Sequence, residues 1–130
     1  LVDDVVDHQV IQPLATGAGT DYRVIVARTG AGTAPPRTIA VTRRQAPAGT
    51  IITNRAGSST TDVDPAGVPD IARLAETAAA ALGLDFGGID IIEHHGEPVV
   101  LEANAWPGLA PEHRGQQLAN ALIAVAHRAC

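Results

Sequence analysis

Gly87-Gly88-Ile89-Asp90-Ile91-Ile92-Glu93, then His94-His95-Gly96-Glu97, then Pro98-Val99-Val100-Leu101-Glu102-Ala103-Asn104-Ala105-Trp106-Pro107-Gly108 is the stretch that decides the fold. Two β-rich runs separated by a short polar segment with a glycine predict an antiparallel hairpin. Side chains alternate along a strand, so Glu102 and Asn104 share one face and Leu101 and Ala103 the other. Asp90 lies about as far from the turn as Glu102 does, which sets it beside them. Two carboxylates and an amide converging on a sheet face suit a hard cation such as Mg²⁺, whose other positions go to water and phosphate oxygens. The same three residue types on a hairpin are more often a solvated strand face. The spacing alone leaves both readings open.

Outward from the hairpin, Val68-Pro69-Asp70 opens a helix: proline suits the first helical position, and an acidic residue in the first turn complements the dipole. Ile71, Leu74, Ala75, Ala78 and Leu82 form one stripe, with Asp70, Arg73, Glu76 and Thr77 facing elsewhere, and Gly83 is the expected stop. A second helix is predicted from Glu112 to Arg128, with Leu118, Leu122 and Val125 as its apolar face. That face suits packing on the same sheet or a dimer contact.

Upstream, Val5 to Leu14 reads as a strand-like run ended by Pro13, Asp21 to Ala27 as a strand, and Arg37 to Arg43 as the strand paired with it. Arg23 falls on the polar side of its strand, where its fork suits phosphate or carboxylate, or a surface salt bridge. Gln45 to Asp62 reads as a long loop. Thr16-Gly17-Ala18-Gly19-Thr20 and Thr29-Gly30-Ala31-Gly32-Thr33 are turns, since neither follows a strand and opens a helix as a phosphate cradle does. His94 and His95 are expected to be solvent-exposed, pointing to opposite sides.

The chain has 130 residues, which predicts a single domain over 1–130 with a core of Val, Ile, Leu and Ala, since Tyr22, Phe86 and Trp106 are its only aromatics. A formal charge of −5 argues against a nucleic-acid partner. The lone Cys130 excludes an internal disulfide. No apolar run is long enough to span a membrane, and the N-terminal stretch is acidic before its apolar residues and does not read as a signal peptide, so a cytoplasmic setting is the default expectation. All nine basic residues are arginine, and methionine is absent. The lack of methionine suggests a fragment or a processed piece.

Gly88-Ile89-Asp90-Ile91, the interval to Leu101-Glu102-Ala103-Asn104 and the closing Trp106-Pro107-Gly108 resemble the metal-binding end of the ATP-grasp carboxylate-amine ligases, in particular the ribosomal-protein glutamate ligase type. That type carries G-V-D and, some twelve residues later, E-V-N-x-S-P-G. Trp106 stands where the family usually has serine. The resemblance implies an α+β fold, an antiparallel sheet flanked by two helices, forming the C-terminal lobe of an ATP-grasp domain whose N-terminal part, with its phosphate-binding lysines, is absent. It implies ATP and Mg²⁺ or Mn²⁺ as cofactors, with the metal on Asp90, Glu102 and Asn104, and small-molecule or peptide carboxylates and amines as substrates.

Asp21-Tyr22-Arg23-Val24-Ile25-Val26 resembles the family's D-I-R-x-F-V strand and implies a catalytic role for Arg23. Asn54-Arg55-Ala56-Gly57 loosely resembles N-x-x-R-G-G, which implies Asn54 near the phosphates and Arg55 near the acyl group. Val10 to Leu14 corresponds to the adenine hinge, so the backbone of Ile11, Gln12 and Leu14 is implied at the base, although Pro13 removes one donor. A non-catalytic module that keeps this fold, or a metal-dependent hydrolase using Asp90 and Glu102, are the rival readings.

Overall fold

The computed structural model describes residues 4–6, 9–11, 18–53, 56–107 and 115–129. Strands β1 (Asp4–Val6) and β2 (Gln9–Ile11) form a small antiparallel pair. The main sheet comprises β3 (Thr20–Ala27), β4 (Arg37–Gln45), β5 (Ser59–Val63), β6 (Phe86–His94) and β7 (Glu97–Asn104). Its order is β5-β4-β3-β6-β7, antiparallel throughout. Helices α1 (Pro69–Ala81) and α2 (Gly115–Ala129) complete an α+β fold, as expected.

Paired residues and residues two apart on a strand share a face, so the ladders sort the sheet into two sides. On one side Val24, Val26, Val41, Ile89 and Ile91 pack against Ile71, Ala75 and Ala79 of α1. Three alanine-sized or β-branched contacts let the helix lie close to a sheet that has no buried aromatic to fill a wider gap. The expected stripe of α1 holds except at its end. Leu82 is the C-cap and 60% exposed, because Gly83, at φ 67°, turns the chain, and Leu84 N–H closes onto Ala79 O at 2.9 Å. Glu76 also turns inward: it accepts from Thr38 N–H at 2.8 Å and ties α1 to β4.

The opposite side is divided. Near Ala27 and Phe86 it is apolar, and Leu118 of α2 packs there on Ile25 and Ala40. Helix α2 therefore covers the sheet, and Arg128 at its end donates to the carbonyls of Arg28 and Gly32. Further along the same side the residues are Asp21, Arg23, Arg44, Thr42, Asp90 and Glu102.

Three local readings are corrected. The last part of the supposed 45–62 loop is β5, an edge strand whose Ser, Thr and Asp side chains carry no apolar alternation. His94 and His95 have ring centroids 4.1 Å apart, because His95, at φ 54°, belongs with Gly96 to the two-residue turn and is not a strand position. Leu101 is the extra residue of a bulge, since Asp90 pairs with Glu102 but Ile91 with Val100. It is 43% exposed.

Candidate functional site

The bulge at Leu101 is what builds the site. Val100 and Glu102 are two apart and would share a face in a regular strand, yet Val100 packs against the α1 side of the core and Glu102 pairs with Asp90. One inserted residue resolves the conflict and aims Glu102 at the polar face. Asn104 pairs with Gly88, two residues before Asp90, so Asp90, Glu102 and Asn104 lie on the same side of the sheet. A methyl group at Gly88 would come within 2.6 Å of Pro107 Cβ, so the glycine lets the turn after Asn104 fold down against β6. The Asn104 side chain fixes that turn by accepting from Trp106 N–H at 2.8 Å.

Arg23 pairs with Asp90 across β3 and β6. Its Nε and Nη2 donate to Asp90 Oδ1 and Oδ2 at 2.8 and 2.7 Å, a bidentate fork. Arg23 thus lies on the polar face of its strand, as expected, and is ion-paired there to Asp90.

Arg44, which sequence reasoning passed over as a loop flank, completes the cluster. It forks onto Asp21 with Nε and Nη2 at 2.6 and 2.7 Å, and Nη2 also reaches Asp90 Oδ2 at 3.0 Å. Asp21 accepts in addition from Thr53 Oγ1.

Asp21 and Asp90 are buried, at 5% and 8% exposure. Burial pushes the Asp90 carboxyl up, but the Arg23 hydrogen bonds and the charges of Arg44 and Arg23 outweigh it, and the group sits below the usual carboxylate range. The Arg23 guanidinium is raised chiefly by its bond to Asp90, against burial. Arg44 is also raised: burial opposes its charge, and Asp21 and Asp90 more than restore it. Asp90, Arg23 and Arg44 are therefore held in their charged forms at neutral pH.

Hard oxygen donors fit a small divalent cation. A carboxylate oxygen accepts two bonds. Among the described residues Asp90 Oδ2 accepts two, from Arg23 and Arg44, whereas Oδ1 accepts one, from Arg23, and keeps a place. Glu102 is exposed beside it, and Asn104 Oδ1 has accepted one bond. Among the described residues no three His, Cys, Asp or Glu side chains gather as a metal cage. Two carboxylates and an amide are instead the partial set that an ion shared with phosphate oxygens takes.

Of the other expected site residues, Ile11 ends β2, while Gln12, Leu14, Asn54 and Arg55 lie outside the described residues. Thr53, next to Asn54, reaches the cluster through Asp21.

The RimK-like ATP-grasp domain model matches residues 7–125, nearly the whole chain and every residue of this cluster. The chain belongs to the RimK-like ATP-grasp family. Over 41 residues, 32% of the chain, it is 51% identical to the "Probable alpha-L-glutamate ligase 2" of Hahella chejuensis, covering 14% of that protein. A segment of the same length is 49% identical to the "Probable alpha-L-glutamate ligase" of Parasynechococcus marenigrum, covering 9% of it. The ATP-grasp ligase PsnB, solved in complex with a minimal precursor, superposes with a TM-score of 0.56 and 25% identity, over 88% of this chain and 36% of that one. This RimK-like chain thus spans a small part of the curated relatives and about a third of the solved ligase.

Among the described residues no helix is long and apolar enough to cross a membrane.

Proposed function

We propose that this chain is the metal-binding C-terminal lobe of an ATP- and Mg²⁺-dependent ligase that joins a carboxylate to an amine through an acyl phosphate, the substrates being amino acids or peptides. The observation that carries the reading is the placement of Asp90 directly opposite Glu102, with Asn104 and Arg23 on the same face. In the first step a carboxylate oxygen of the acid attacks the γ-phosphorus of ATP and the bond to ADP breaks. In the second, the amine nitrogen attacks the acyl carbon, phosphate leaves and the amine gives up a proton.

Mg²⁺ held by Asp90 Oδ1, Glu102 and Asn104 would neutralise charge on the β- and γ-phosphates. The bonds to Asp90 use two of the five N–H donors of Arg23, so the same guanidinium has donors for an acyl-phosphate oxygen without releasing Asp90. Arg55 would assist from the 46–58 loop, with Asn54 at the phosphates and the backbone of Ile11, Gln12 and Leu14 at the adenine. The relatives extend well beyond the span matched here, and the reading places the phosphate-binding lysines on further polypeptide.

Calorimetry of ATP on the intact gene product, with and without Mg²⁺, tests the proposal, together with ADP release in the presence of amino-acid and peptide substrates. Metal-dependent binding and substrate-dependent ADP release are expected. A second reading, a non-catalytic module with the same fold, draws on the two guanidinium groups already held by Asp90. It predicts no ATP binding.

A further inference from the structure

Asp21, Arg44 and Thr53 make a connected path behind Asp90 that the ligase reading does not use. Thr53 Oγ1 donates to Asp21 Oδ2, Asp21 receives both arms of the Arg44 fork, and Arg44 Nη2 donates onward to Asp90 Oδ2. Arg44 and Asp21 are cross-strand neighbours in the β3–β4 ladder, so backbone pairing sets their separation. Arg44 is only 15% and Asp21 7% exposed at the side chain, and two bonds to one carboxylate fix the plane of the guanidinium. Its remaining direction is thereby aimed at one oxygen of Asp90.

Arg23 alone would leave that carboxylate free to turn about its own bond with the arginine following. A second donor from another strand, on Oδ2 only, removes this freedom. It also completes the acceptor capacity of Oδ2 and, among the described residues, leaves the remaining place on Oδ1.

We infer that Arg44, oriented by Asp21, is a positioning residue that locks the Asp90 carboxylate so that Oδ1 is the oxygen presented to a divalent cation shared with Glu102 and Asn104. Thr53, which follows β4, joins the lock through Asp21, so its side chain and the carboxylate are placed together. The inference rests on the ligase reading for the metal and adds which residues prepare its ligand.

The charge of Arg44 and its geometry predict opposite effects, which makes the inference testable. Arg44 is a cation close to a proposed cation site, so if it acted as a charge alone, its removal would tighten metal binding. As a positioning residue its removal weakens binding, on the order of tenfold, as loss of a ligand's hydrogen-bond partner does elsewhere.

The measurement is Mn²⁺ affinity of the intact gene product with ADP present, from the free-ion EPR signal, for wild type, Arg44→Ala and Arg44→Lys. Lysine keeps the charge but cannot fork onto Asp21 while reaching Asp90. The expected result is weakened binding in both variants, with thermal melts confirming that they are folded. Unchanged or tighter binding in Arg44→Ala, or full restoration in Arg44→Lys, overturns the inference. If Arg44→Ala does not fold, Arg44→Lys decides in the same way. Absence of protein-dependent Mn²⁺ binding in wild type is a different outcome and overturns the ligase reading itself.

Discussion

Asp90 and Glu102 face one another across the β6–β7 ladder, but among the described residues the ion pairs of Arg23 and Arg44 reach Asp90 and not Glu102. The two carboxylates should therefore separate in their effect on stability while agreeing in their effect on turnover. Glu102→Gln, at an exposed position, should leave the melting free energy within about 0.5 kcal/mol of wild type. Asp90→Asn takes the negative charge from between two guanidinium groups and should cost roughly 1–3 kcal/mol, below the range for fully buried pairs because water reaches the edge of the cluster. Both should abolish Mg²⁺-dependent ADP release by the intact gene product. Melting curves beside an ADP assay check the pair, and equal destabilisation by the two would mean that Glu102 shares the arginines.

Acid should act on the fold through Asp90. Its folded carboxyl lies below the ordinary value of about 3.9, held there by Arg23 and Arg44 against the effect of burial. With the folded value depressed, the unfolded chain binds the proton first, so stability rises with pH between the two values. The contribution is complete above the unfolded value and lost as pH falls through the folded one. Asp90→Asn should flatten the acid limb of the stability curve below about pH 4, read by urea unfolding across pH. An unchanged slope would show that other carboxylates carry the acid response.

Gly88 should be intolerant of even one carbon. A Cβ there meets Pro107 Cβ at 2.6 Å and Cγ at 3.3 Å, and Pro107 is itself buried. Relief requires moving the turn that Asn104 holds through Trp106 N–H. Gly88→Ala is therefore expected to cost about 1–3 kcal/mol and to weaken metal binding, although it adds no polar group. A melt and a Mn²⁺ titration on the same sample test it. Destabilisation with metal affinity intact would uncouple the turn from the site.

The hairpin was legible because its signals agree: a glycine in the turn, β-branched runs on both sides and polar residues at alternating positions. Rough distance from the turn set Asp90 beside Glu102, but strict alternation from the His94–Glu97 pair would set it opposite Leu101; the inserted residue that brings Glu102 there instead is invisible to a period of two. Arg44 was missed because the strand was ended at Arg43, one residue short of the position that pairs with Asp21. Strand β5 was missed because an exposed edge of Ser, Thr and Asp has no buried face to impose a pattern. The roles proposed for Arg23 and Asn54 rest on family likeness, since an arginine or an asparagine in a sequence is by itself uninformative.

Trp106 should contribute almost nothing to the fold despite its size. It is 85% exposed, and among the described residues it is tied to the site through its backbone N–H on Asn104 Oδ1, a bond any residue except proline can make. Trp106→Ser, restoring the residue usual in the family, should change stability by no more than about 0.5 kcal/mol and leave Mn²⁺ affinity unchanged. The indole lies two residues beyond Asn104 and, under the ligase reading, offers its exposed apolar surface to a substrate brought to the proposed metal site. Its loss should therefore raise KM for one of the two organic substrates with kcat nearly constant, the signature of binding shared equally by ground and transition states. Steady-state kinetics of the intact gene product with each substrate varied in turn reads this directly. A fall in kcat with KM unchanged would instead place the indole against the reacting atoms.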